Sequence, residues 1–208
     1  MTAVSIDSRA VAASLGLRAP QRRRRWPSYQ AVVLKGMAKL WQASHRHVLD
    51  VGAGSGTMAQ CVYEQMPVRQ VTAVDVVDRF HADLDVATRT FDGRRLPFAD
   101  AAFDAATLSD VVAHVPRGDR VTLLREIART TAGPLYLKDW EVRTLPDRLR
   151  LAVLGGSVRV QALTMDEWRA LAAASGWRIA AKARARYRRG VMAWAFPNRL
   201  ELSMRWER

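Results

Sequence analysis

Residues 48–60 read VLDVGAGSGTMAQ, and this stretch decides the fold. Four apolar or acidic residues with β-branched character run into a glycine cluster, and a helix-forming segment follows. That is strand, acid, glycine loop and helix in succession. In an open parallel sheet such a loop lies at the carboxyl ends of the strands, where ligands bind. Glycines there let the backbone approach a ligand with no Cβ in the way. The spacing separates the candidates. A dinucleotide fingerprint needs glycine or alanine three residues after the second glycine, but Thr57 stands three after Gly54. A phosphate-binding P-loop is excluded because no Gly-Lys-Ser/Thr follows. The pattern is instead D-x-G-x-G-x-G, from Asp50 through Gly52, Gly54 and Gly56. Asp75, at the end of the next apolar run, can accept both hydrogen bonds of a ribose diol.

Working outward, strands and helices alternate. Val33, Met37, Leu40 and Trp41 recur at helical spacing with Lys35 and Lys39 on another face, which predicts an amphipathic helix from Ser28 to residue 42. HVLDV (47–51), QVTAVD (70–75), DAATLSDV (104–111) and PLYLKDW (134–140) read as strands. TMAQCVYEQM reads as a helix ended by Pro67, and DGRRLPFADAAF as a loop. Residues 119–131 read as a helix with Val121, Leu124, Ile127 and Ala128 inward. Thr164 and Glu167 are spaced as a capping box opening DEWRALAAAS, with Gly176 at its end. From Trp177 the period becomes two: Ile179, Ala181, Ala183, Ala185 and Tyr187 alternate with a basic face of Arg178, Lys182, Arg184, Arg186 and Arg188. LELSMRWE alternates likewise, with Leu200, Leu202, Met204 and Trp206 on one side. This order predicts an α/β, doubly wound sheet with helices on both faces and an antiparallel finish. We divide the chain into a leader and capping helix (1–46) and a ligand-binding domain (47–208).

Composition sets limits. The 208 residues carry a net charge of +13, from 29 arginines and 4 lysines against 20 acids. Such a balance favours nonspecific contact with nucleic acid, and QRRRRWPSYQ (21–30) concentrates four of the arginines. Yet arginines are scattered along the whole sequence beside abundant alanine, which fits a coding bias at least as well. Cys61 is the sole cysteine, so no internal disulfide, cysteine zinc site or CxxC pair exists. No signal peptide or membrane span is read, no metal is expected, and the expected setting is cytoplasmic.

VLDVGAGSG resembles the first motif of class I S-adenosylmethionine-dependent methyltransferases. The resemblance runs from residue 47 to 180, and FDGRRLPFADAAFDAATLSDVVAHVP (91–116) is similar to the DG-x-x-LPF block of the small-molecule branch. It implies a Rossmann-like sheet of seven strands, mostly parallel with the last antiparallel, and S-adenosylmethionine as cofactor. On that resemblance Gly52, Ala53, Gly54 and Gly56 pass under the amino-acid part of the cofactor. Asp50 helps to hold its ammonium, Asp75 binds the ribose with Val76 beside it, Asp92 and Gly93 flank the adenine, and Leu108 and Ser109 line the methionine end.

A base is needed only where the nucleophile must lose a proton. His114 fills a position the family often gives to histidine, and Asp110 is a candidate to orient it. Ala113 replaces a second histidine of that motif, and Trp140 replaces the last residue of a Lys-Asp-His pattern after Lys138 and Asp139. Trp26 and Tyr29, with Lys138, Asp139 and Trp140, are expected in the acceptor pocket. The expected partner is a small-molecule methyl acceptor, anionic or aromatic, because arginines and tryptophans crowd the variable parts. Asn/Asp-Pro-Pro-Tyr is absent after the fourth strand, and there are no paired cysteines for attack on a pyrimidine carbon. An RNA or DNA methyltransferase using the arginine-rich surface therefore ranks behind, as does a cofactor-binding protein repurposed for another reaction.

Overall fold

Side chains on a strand alternate between the two faces of its sheet, and in this computed structural model that alternation divides the chain's apolar residues into two layers. The structure describes residues 28–42, 45–147, 149, 162–184 and 201–208. Its sheet has seven strands: β1 (His47–Val51), β2 (Gln70–Asp75), β3 (Ala87–Thr90), β4 (Ala105–Ser109), β5 (Leu135–Trp140), β6 (Arg178–Ala183) and β7 (Glu201–Glu207). They lie in the order β3-β2-β1-β4-β5-β7-β6. Strands β1 to β5 are parallel, whereas β7 runs antiparallel to both β5 and β6. The order reverses between β1 and β4, and a ligand crevice is expected outside the carboxyl ends there.

Helix α1 (Ser28–Ala38) and helix α2 (Thr57–Gln65) cover one face. Val33, Leu34 and Met37 pack with Met58 and Val62 over Val48, Val71, Ala105 and Tyr136. Burying each larger apolar side chain contributes roughly 1.5–3 kcal/mol before conformational costs. Helix α1 ends at Ala38, earlier than the apolar spacing predicts, and a turn carries Leu40 and Trp41 back onto the sheet. Trp41 stacks on the ring of Tyr136, with centroids 4.3 Å apart, and His45 Nε2 lies 2.7 Å from the Tyr136 hydroxyl.

Helices α3 (Arg120–Thr130) and α4 (Met165–Ala174) cover the other face. Leu49, Val51, Leu108, Leu135, Leu137, Met204 and Trp206 meet Leu123, Leu124, Ile127 and Trp168 there. The inward stripe of α3 is Leu123, Leu124 and Ile127; Val121 stands at its margin, rotated away from the predicted position. The capping box of α4 forms as expected, with Glu167 N donating to Thr164 Oγ1 at 3.2 Å and Thr164 N to Glu167 Oε2 at 2.7 Å.

Strand β6 ends at Ala183, and a register shift between Ile179 and Ala181 breaks its strict alternation. Arg184 leaves the predicted basic face to pair with buried Glu141, which Arg143 also meets at 3.2 Å. Ala185, Arg186, Tyr187, Arg188 and Leu200 lie outside the described residues, as do the leader 1–27 and its arginine run.

The DG-x-x-LPF loop is fastened from α3. Arg129 donates to the carbonyls of Leu96 and Phe98 and to Asp100, while Glu126 Oε2 accepts from Leu96 N. No helix among the described residues is long and apolar enough to cross a membrane.

Candidate active site

The two layers differ where the strands end. On the α1/α2 face the apolar rows of β1, β2, β4 and β5 give way to Asp50, Asp75, Thr107, Ser109 and Lys138 toward the carboxyl ends. A cleft of about 390 Å³ opens at this edge beside the glycine loop.

The loop is held before any ligand arrives. Ala53 N donates to Val74 O at 3.0 Å, and Gly54 N donates to Asp75 Oδ2 at 2.7 Å. Gly52 has φ +68°, and a Cβ there would sit 2.4 Å from Val111 Cγ2, so glycine is required on both grounds. Gly54 has φ +60°, but a Cβ there would meet nothing within 4 Å, so its bare side faces open space. Gly56 leads into the first turn of α2.

Asp75 closes β2 and is 4% exposed. Its Oδ1 accepts from Val77 N at 3.1 Å, and Arg79 Nη2 stands 3.9 Å from Oδ2. Each oxygen has therefore been given one backbone donor and keeps acceptor capacity toward the cleft. Val76, 56% exposed, and Phe91 supply apolar walls beyond it. Asp92 Oδ1 accepts from both Arg94 N and Arg95 N at 2.8 Å. These bonds, that from Arg95 foremost, hold the carboxyl below its usual range. Gly93 follows with φ +80° against Val76. An anchored acid, an apolar slot and a glycine rim fit the ribose, adenine and amino-acid parts of S-adenosylmethionine.

Asp50 lies behind the loop, not in the cleft wall. It is 1% exposed, its Oδ1 accepts from Thr107 Oγ1 at 2.6 Å, and its Oδ2 has no partner among the described residues. Burial pushes its carboxyl up to about 7, against the bond from Thr107 and with Asp75 adding repulsion. Leu108 points into the apolar layer of the opposite face, and Ser109 Oγ is buried without a partner among the described residues. Asp110 and Val111 form the cleft wall at this strand end instead.

Asp110 adopts φ +56°, uncommon for a residue with a Cβ. Lys138 Nζ donates to its Oδ1 at 2.7 Å and to its Oδ2 at 3.0 Å, and Trp140 Nε1 donates to Oδ1 at 2.8 Å. Its own N–H donates to Lys138 O at 2.8 Å. Lys138 is buried and lies 3.6 Å from Glu201 Oε1 on β7. Asp110 is thus fixed by Lys138 and Trp140; among the described residues no hydrogen bond joins it to His114. His114 is exposed at the end of a single 3-10 turn (Val112–His114) and lines the cleft separately. Asp139 points to the opposite face, where its Oδ1 accepts from Trp140 N at 2.8 Å and burial pushes its carboxyl up to about 7. Trp26 and the side chain of Tyr29 lie outside the described residues.

The structure therefore brings together the glycine loop, Asp75, Val76, Asp92, Gly93, Asp110 and His114 around one cleft, with Lys138 and Trp140 immediately behind. It adds Arg79, Arg94, Val111 and Asp119 to the lining, and Glu201 as a partner of Lys138. Arg79 lies four residues past Asp75 in the loop after β2; Glu201 carried no sequence signal, since its pairing depends on the β5–β7 register. Among the described residues no three His, Cys, Asp or Glu side chains stand close enough to hold a metal ion.

Residues 49–133 match the family model described as a methyltransferase domain. No curated protein matches the sequence. The fold is similar to that of a complex between the Haloferax volcanii Trm112 methyltransferase activator and the putative methyltransferase. There the TM-score is 0.66 at 14% identity, over 86% of this chain and 88% of that one. It is also similar to magnesium protoporphyrin IX methyltransferase from Synechocystis PCC 6803 with bound S-adenosylhomocysteine (TM-score 0.64, 17% identity, 86% and 83% covered). A possible histamine N-methyltransferase from Thermotoga maritima aligns with TM-score 0.62 at 16% identity, over 86% and 88% of the two chains.

Proposed function

This enzyme carries a methyltransferase domain that works with S-adenosylmethionine, and we propose that it methylates a small metabolite at a nucleophilic nitrogen or oxygen. The observation that carries the reading is the Asp75 carboxylate, braced by Gly54 N at 2.7 Å and by Val77 N at 3.1 Å and open to a cleft beside the glycine loop. Bound S-adenosylmethionine supplies a methyl group on a positively charged sulfur, already activated for in-line displacement.

The protein's share is alignment and exclusion of water. Asp75 would hold the ribose hydroxyls, Val76 and Phe91 would line the adenine slot, and Asp92 would be available to the adenine amino group. Gly54 lets the loop backbone meet the amino-acid end. Asp50, buried behind that loop, would act on the ligand's ammonium only through the loop backbone. His114 stands on the far wall, able to take a proton from an acceptor hydroxyl. Lys138 and Trp140 set the wall through Asp110. Leu108-Ser109-Asp110-Val111 stands where an Asn/Asp-Pro-Pro-Tyr tetrad would lie at the end of β4, which supports a metabolite over a nucleic acid. The single, buried thiol of Cys61 suits a reducing cytoplasm, where we place the activity.

Calorimetric titration with S-adenosylmethionine, S-adenosylhomocysteine and NAD tests the reading. Binding of the first two without NAD is expected. Failure of both to bind overturns it.

A further inference from the structure

The acceptor end of the cleft is acidic, although the chain as a whole is strongly basic. Four carboxylates line the cleft, Asp75, Asp92, Asp110 and Asp119, against two arginines. The arginines belong to the cofactor end: Arg79 stands beside Asp75, and Arg94 follows the Asp92 turn. What remains at the other end is Asp110, Asp119 and His114.

Asp110 is held for presentation. Its left-handed backbone costs on the order of 1 kcal/mol, and such strain persists where surrounding contacts over-determine it. Three donated hydrogens arrive from Lys138 and Trp140, two on Oδ1 and one on Oδ2. A carboxylate has about four acceptor sites, so the vacant one is on Oδ2. Asp110 retains 25% side-chain exposure at the cleft, while Lys138 behind it is 1% exposed. The buried ammonium also has Glu201 as a second counter-charge, so neutralising Lys138 does not by itself require a carboxylate turned to the cleft.

We propose that Asp110 is a positioning residue that accepts a hydrogen bond from the acceptor, and that the acceptor is an amine. This rests on the methyltransferase reading above. An amine donates N–H to Oδ2 while its lone pair points elsewhere, toward the methyl carbon. The lone pair forms the new N–C bond, the C–S bonding pair stays on sulfur, and the resulting ammonium releases its proton to water. A carboxylate acceptor has no hydrogen to donate and is repelled. An alcohol has a single hydrogen and gives it up on methylation, so it cannot keep a hydrogen bond to Asp110 through to the product, whereas an amine retains an N–H for Oδ2. The anionic acceptor suggested by the arginine count gives way here to an amine.

The test uses the protein saturated with S-adenosylhomocysteine, whose binding is first verified by calorimetry; failure at that step falls on the methyltransferase reading alone. Benzylamine, benzyl alcohol and benzoate are then titrated while the Trp140 indole N–H resonance, assigned with Trp140→Phe, is followed by NMR. Benzylamine is expected to bind at least about tenfold tighter than benzoate, as a charge-assisted hydrogen bond implies, and to shift the Trp140 resonance. Asp110→Asn is expected to abolish the preference with cofactor-product affinity unchanged. Tighter or equal binding of benzoate or benzyl alcohol, no binding of any of the three, or a preference that survives Asp110→Asn overturns the proposal. The wild-type comparison stands even if the variant fails to fold.

Discussion

The two faces of the sheet obey different rules. Under α3 and α4 the strand residues are mostly apolar, among them Leu49, Val51, Val74, Ala106, Leu108, Leu135, Leu137, Leu202, Met204 and Trp206, with Thr72 and Asp139 as buried polar members. Under α1 and α2 the same strands begin apolar, with Val48, Val71, Ala105 and Tyr136, and then turn polar at Asp50, Asp75, Ser109 and Lys138. One face stabilises the sheet, and the other is interrupted at the cleft we propose as the ligand site. Folding free energy and ligand affinity should therefore respond to different substitutions, although the residues lie on adjacent positions of the same strands.

The largest separation is expected from the apolar face. Leu124→Ala removes a fully buried side chain from α3 and should cost about 2–5 kcal/mol. Denaturant unfolding would measure this, and the affinity of the folded fraction for S-adenosylhomocysteine should stay within about twofold, since charged-ligand contacts are untouched. A large affinity loss would erase the distinction between the faces. The converse is Asp75→Ala, which removes the carboxylate proposed to accept two ribose hydrogen bonds. At about 1.5–3 kcal/mol for each hydrogen bond to a charged group, affinity for S-adenosylhomocysteine measured by calorimetry should fall at least about a hundredfold. Gly52→Ala should hurt both properties, because a Cβ at φ +68° would collide with Val111. A loss of about 1–3 kcal/mol is expected from strain and overpacking, read as a lower melting temperature together with weaker binding.

The last prediction concerns the buried carboxylate on the apolar face. Burial raises the Asp139 carboxyl to about 7. A raised folded-state pKa contributes stability that is full below the unfolded value, near 4, and is lost as pH rises to about 7. Asp139→Asn removes that dependence, so its melting temperature relative to wild type should be more favourable at pH 8 than at pH 5. An unchanged difference between the two pH values would mean that Asp139 does not titrate in this range.

Much of this contrast could be read from local sequence, because local patterns encode it. VLDVGAGSG fixed strand, turn and ligand edge through residues adjacent in the chain, and the capping box of α4 likewise needs only Thr164 and Glu167. The assembly around Lys138 was not legible. Asp110, Lys138 and Glu201 are far apart in sequence, and only the parallel β4–β5 and antiparallel β5–β7 registers bring them together. The same limit explains α3: amphipathic spacing located the helix, but its rotation depends on Trp168 and Trp177 packing beside Leu124. Trp177 fixes that contact by donating from Nε1 to Leu124 O at 3.0 Å. The end of α1 at Ala38 was hidden for a related reason, since the stacked Trp41 and Tyr136 are supplied by separate parts of the chain.

Under the proposed cofactor pose, Asp75 carries a lesson for anyone wishing to re-engineer the enzyme for an altered nucleoside. The carboxylate that would be exchanged is also the post to which the glycine loop is tied, through Gly54 N. Lengthening or neutralising it would displace the loop together with the proposed recognition group. A library that varies residue 75 alone should thus be populated mostly by inactive clones. Useful variants would need compensating changes in 52–56, so the loop and the acid must be diversified as one unit.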